Sequence, residues 1–132
     1  MNTDRYVGVR YKFLGESFED GFDCGSIVFH FLNSLGYATP LPWKEFTKGL
    51  GPRDIVEAVV AWGEKNAQKL QAPDLHCVVA FKADTGLLAH AGVMVSSDRF
   101  LNIYHGHTAH LAMLDDAWSS RIHSCWRLPW AQ

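Results

Sequence analysis

The chain has 132 residues, 48% of them apolar and 20% charged, which suits one folded domain over residues 1–132 and excludes the profile of a disordered chain. A net charge of −2 with neutral histidines offers no basic field for nucleic acid or an anionic membrane, and no apolar run approaches a membrane span. Three cysteines, Cys24, Cys77 and Cys125, are an odd number without CxxC spacing, so neither a disulfide framework nor a structural zinc site is indicated.

The opening Met1-Asn2-Thr3-Asp4-Arg5 lacks the basic-then-apolar order of a secretory signal, giving the expectation of synthesis in the bacterial cytoplasm without a signal peptide. Residues 1–23, punctuated by Gly8, Gly15 and Gly21, read as an irregular lead-in. From Cys24 the apolar residues Ile27, Val28, Phe31, Leu32 and Leu35 recur at helical spacing, Asp23 is placed to cap the start and Gly36 to end it. A core helix over 24–35 is expected, with Cys24 in its first turn. The stretch 37–52, with Pro40, Pro42, Gly49, Gly51 and Pro52, reads as a loop with one helical turn around 43–48. A second helix fits 53–68, where Ile55, Val59 and Trp62 share a face, and Pro73 closes it. Beyond it the period turns extended, with strands expected at 76–82, 88–95, 99–105 and 121–127. Helices followed by an antiparallel meander make an α+β layout in which a helix packs across one sheet face.

A thiol in the first turn of a helix feels the partial positive charge of free N–H groups, which favours thiolate. Asp23 opposes this if its carboxylate faces the sulfur and does not if it caps backbone N–H groups. A lone cysteine is more often a packed core residue, and a lone histidine in an apolar strand is more often structural than catalytic. The pairing of Cys24 with His90 as its base reverses this only if the helix start meets the strand. A third group should orient the imidazole. With a three-residue turn at Ser96-Ser97-Asp98, His90 stands opposite Tyr104 and Asn102 projects from the same sheet face; a four-residue loop would put His105 opposite His90 instead. The group His105, His107 and His110 fits no standard zinc spacing and reads as a histidine-rich loop beside the site. His30 and His123 read as structural, Cys77 and Cys125 as core, and Trp43 as packing or a cleft wall.

The ordered segments Tyr11-Lys12-Phe13-Leu14-Gly15, Gly21-Phe22-Asp23-Cys24 and His90-Ala91-Gly92-Val93-Met94-Val95 resemble those of the NlpC-type papain-like cell-wall peptidases. Pro73-Asp74-Leu75 stands where that family has Gly-Asp-Leu, and Arg99-Phe100-Leu101-Asn102 where it has its third polar residue, normally histidine. The ending Ala117-Trp118-Ser119-Ser120-Arg121 followed by Trp126-Arg127 is similar to phage tail-associated members, and only 37–72 is unmatched.

The resemblance implies a papain-like NlpC-type fold and a cofactor-free cysteine peptidase or amidase acting on peptidoglycan stem peptides. Cys24 would be the nucleophile, His90 the base and Asn102 its orienting partner, with His105 the runner-up. The Cys24 N–H and the Tyr11 hydroxyl would hold the oxyanion, with Tyr6 the competing tyrosine. The setting it implies is a phage or phage-like tail component that opens the cell wall, acting from the virion in the periplasm or wall and touching tail-tip proteins. The competing expectation is a weak or inactive structural tail-tip protein that retains the fold. Where the family continues Asp-Cys with serine then glycine, this chain has Gly25-Ser26. The family's first serine helps fix a free peptide amine, so its usual cleavage after γ-linked D-glutamate does not carry over.

Overall fold

In a computed structural model, which describes residues 3–132, the first long element is α1 (Cys24–Ser34). Its start is fixed by a capping box: the Asp23 carboxylate accepts from Gly25 and Ser26 N–H, and the Ser26 hydroxyl accepts from Asp23 N–H at 2.9 Å. Its end is set by Gly36, at φ +98, where a side chain would be strained. Ile27, Val28, Phe31 and Leu32 are fully buried, each worth ~1.5–3 kcal/mol of hydrophobic stabilisation.

Before α1, β1 (Glu16–Ser17) and β2 (Gly21–Phe22) form a two-residue antiparallel ladder, and Tyr11 bridges to Phe22. The short α2 (Trp43–Phe46) supplies the helical turn expected in the 37–52 loop. The second predicted helix is shorter than 53–68: a 3-10 turn (Pro52–Asp54) leads into α3 (Ile55–Asn66), and β3 (Gln68–Leu70) follows at once. Pro73 therefore ends a strand and turn, not a helix.

The remaining strands are β4 (Val78–Lys82), β5 (Leu88–Met94), β6 (Arg99–Asn102), β7 (His110–Met113) and β8 (Ile122–Arg127), with the short α4 (Asp116–Ser119) between the last two. They form one antiparallel six-stranded sheet in the order β3-β8-β4-β5-β6-β7. This is the α+β arrangement expected, with two additions: exposed, polar β3 on one edge and histidine-led β7 on the other. Alternation along the strands gives the sheet two apolar faces. Val78, Ala80, Val93 and Leu101 join the core with α1 and α3, while Val79, Phe81, Met94 and Phe100 form a second cluster that Trp118 covers. Among the described residues no helix is long and apolar enough to cross a membrane.

One local departure from regular pairing shapes the site. Val95 N–H bonds Arg99 O, and Val93 and Met94 pair with Leu101 and Phe100, but the β5–β6 ladder stops there. Ala91 lies four residues before Val95, so its N–H also points towards β6, at a level where β6 no longer answers it.

Candidate active site

That donor lies near Cys24. The backbone N–H groups of Ala91, Cys24 and Gly25 all act on its sulfur and favour thiolate. Burial outweighs them: desolvation first, then the Asp23 charge, push the thiol from 9.0 up to about 12. A rise of that size corresponds to roughly 4 kcal/mol, against the ~0.3–1 kcal/mol that a helix N-terminus usually contributes. The residue retains some accessible surface, yet its sulfur is densely surrounded. The pull of the helix start towards thiolate is thus opposed by burial, which favours the neutral thiol.

Asp23 is 1% exposed and its two oxygens are fully engaged. Oδ1 accepts from Gly25 and Ser26 N–H at 3.0 and 2.8 Å, and Oδ2 from Leu14 N–H at 3.0 Å and the Trp43 indole N–H at 2.9 Å. Burial still raises its pKa, with those bonds opposing. Trp43 is therefore core, not a cleft wall: it is wholly buried, and its ring lies where a side chain at position 25 would stand. A Cβ on Gly25 would meet Trp43 Cη2 at 2.4 Å, which explains why glycine, rather than serine, follows the cysteine.

His90 leads the regular part of β5, one residue from the amide that holds the sulfur. Its Nε2 meets Asn102 Oδ1 at 2.8 Å, and Asn102 Nδ2 donates to His110 O at 3.2 Å. That second bond sets the amide orientation, so Nε2 carries the proton and Nδ1 is the free base. The β5–β6 pairs follow the register of the three-residue turn, and Asn102, fully buried, is the residue on the imidazole. His105 instead sets its ring against Tyr11, with centroids 5.4 Å apart. Around His90 the rings of Phe81, Tyr104 and Trp118 lie at 6.1, 5.5 and 5.7 Å. Burial among them lowers the imidazole from 6.5 to about 4, the Asn102 bond opposing and His110 adding slightly. Among the described residues no hydrogen bond joins Cys24 to His90.

Of the two tyrosines, Tyr11 is the one near Cys24: burial raises its phenol, and the Asp23 charge raises it further. Tyr6 is buried elsewhere and its hydroxyl meets His30 Nδ1 at 2.8 Å. Two surface hollows flank the group, one lined by His90, Phe81, Tyr104 and Trp118, the other by Arg10, Tyr11, His105 and His107. The Tyr104 ring touches both His90 and His107 and so links them. Sequence reasoning missed the aromatic wall of Trp118 and Phe81 around the imidazole; their even spacing from His90 across paired strands was the available signal for Phe81 alone. Cys77 and Cys125 are buried in the second cluster, as expected.

Helices packed on one antiparallel sheet are an arrangement shared with solved NlpC/P60 domains, and the chain has that fold. An NLP/P60 family protein similar to lipoprotein, from Staphylococcus aureus, superposes with a TM-score of 0.62 at 16% identity over 96% of this chain and 39% of its own. The NlpC/p60 domain of peptidoglycan hydrolase SagA gives 0.59 at 13% identity, over 94% of this chain and 91% of that domain. NlpC2 from Trichomonas vaginalis gives 0.62 at 16% identity, over 94% and 44%. The chain thus spans well under half the length of the staphylococcal and trichomonad proteins. No family model matches the sequence, and neither does any curated protein.

Proposed function

We propose that the chain is a cysteine hydrolase of peptidoglycan stem-peptide amides. The observation that carries this reading is His90 with one ring nitrogen fixed on Asn102 at 2.8 Å, on a strand whose Ala91 amide, one residue on, acts on the thiol that opens α1. In the reaction His90 Nδ1 takes the Cys24 proton as sulfur attacks the carbonyl carbon. The C–N bond then breaks as the imidazolium returns the proton to the amine, and water hydrolyses the thioester with the same base. Asn102 is a positioning residue. The Cys24 N–H and the Tyr11 hydroxyl stabilise the oxyanion. Because thiol and imidazole are both neutral at rest, substrate carries the expense of forming the charged pair, by excluding water and placing an oxyanion beside it.

The setting we favour is a phage or phage-like tail component acting on the wall; the support is the resemblance of the residues around Trp118 and Trp126 to phage tail-associated members. A second reading, a structural tail-tip protein with the same fold and weak chemistry, is favoured by the thiol raised to about 12. Digestion of purified peptidoglycan by wild type and Cys24→Ala decides between them. Release of new amino termini by the wild type alone supports the enzyme, and equal release by both ends that reading.

A further inference from the structure

The hollow beside Tyr11 has a chemistry of its own. Its walls are Arg10, Tyr11, His105, Gly106, His107 and Thr108, a set with hydrogen-bond donors on four side chains besides Thr108 and no carboxylate. Two bridges fix it next to the sulfur: Arg10 pairs with Thr108 on one side, and Tyr11 pairs with Phe22, two residues before Cys24, on the other. The floor is open, because Gly106 turns the loop at φ +85 and a Cβ there would meet nothing within 4 Å.

Arg10 is held in direction. Its Nε donates to Asp20 O at 3.0 Å and one terminal nitrogen to Glu19 O at 3.3 Å, which leaves the other N–H groups of the fork without a side-chain partner. The carboxylates of Glu19 and Asp20 are on exposed residues, and among the described residues neither forms an ion pair with Arg10. His105 is braced on Tyr11 and His107 on Tyr104, at centroid distances of 5.4 and 4.2 Å. The one acid at the sulfur, Asp23, is buried with four donors already on its oxygens. An ammonium group entering here would meet a fixed guanidinium and no free acceptor of opposite charge. A carboxylate would meet a fork whose direction is already set, a geometry that guanidinium groups match well.

We infer that the Arg10–His105–His107 hollow receives a carboxylate of the scissile peptide, so that this chain selects acidic stem peptides over their amidated forms. The inference rests on the hydrolase reading and names the substrate class of that same site. Two carboxylates of a stem peptide share this chemistry, the α-carboxyl of a γ-linked D-glutamate and the carboxyl terminus.

The experiment uses synthetic stem tetrapeptides in two matched pairs, one with the D-glutamyl α-carboxyl free or amidated, the other with the carboxyl terminus free or amidated. For each pair the ratio of kcat/KM is measured with wild type, Arg10→Gln and His107→Gln. Because each ratio comes from one preparation, losses of folding or of chemistry cancel within it. The expected result is a preference of about tenfold for the acid in one pair, which identifies the source, falling towards unity in both variants. Ratios within about twofold of unity in both pairs, or a preference that both variants retain, overturn the inference. If wild type cuts none of the peptides, the hydrolase reading falls. Calorimetric binding of the same peptides then decides the inference by itself: tighter binding of the acid, reduced by His107→Gln, supports it, and equal or absent binding overturns it.

Discussion

Replacing Asp23 by asparagine tests the architecture behind Cys24. The carboxylate accepts four hydrogen bonds, two on each oxygen. Asparagine keeps one acceptor. With that oxygen on Gly25 and Ser26, the new amide nitrogen faces the N–H of Leu14 and the indole N–H of Trp43, donor against donor. Two donors then lose their partner, at about 1–3 kcal/mol each for buried groups. Relief from burying a charge offsets part of this, so a net loss near 3 kcal/mol is expected in urea denaturation. Trp43→Phe removes one of the four donors and should cost less by itself, although Trp43 is wholly buried. In the Asp23→Asn background the same change removes a clash instead of a bond. The double-mutant cycle should therefore show a coupling above about 1 kcal/mol. Asp23→Asn within about 0.5 kcal/mol of wild type, or additive costs, would refute the four-donor account.

Two further outcomes follow from groups at the site. Gly25→Ser, which puts serine directly after the cysteine as in the resembling family, should destabilise the fold by about 2 kcal/mol or more, since its Cβ falls 2.4 Å from Trp43; an unchanged urea midpoint would contradict this. For His90, burial lowers the folded pKa to about 4 from 6.5, so the unfolded chain binds the proton first as pH falls. The stability that the neutral ring retains above about pH 6.5 should decline by roughly 3 kcal/mol towards pH 4, with His30 and His76, also lowered by burial, adding in the same direction. Urea titrations across that window should be visibly flatter in His90→Gln, and identical slopes would exclude the buried imidazole as a source.

Much of the site was legible because it depends on short-range rules. Asp23 before an apolar helical period marks a cap, and the three-residue turn fixes which of Asn102 and His105 reaches His90. The rest depended on distant packing. The Trp43 ring belongs to Asp23 only because α2 folds over the start of α1, and no local pattern ties residues 20 apart. β3 was hidden because Gln68 and Lys69 are polar edge residues continuing a helical period without a breaker. β7 was hidden because its leading His110 looked like the end of a histidine loop. The helix dipole acting on the thiol can be read from sequence, whereas the degree of burial that opposes it cannot.

The bond between the Trp43 indole and Asp23 also orders events during synthesis. Residues 24–34 can coil soon after they emerge with Leu14, Gly25 and Ser26 donating to Asp23, but the fourth donor is missing until position 43 has arrived and docked. Loosening around 37–52 would therefore reach the turn that carries Cys24 from behind, by withdrawing one donor from Asp23 without touching the sulfur.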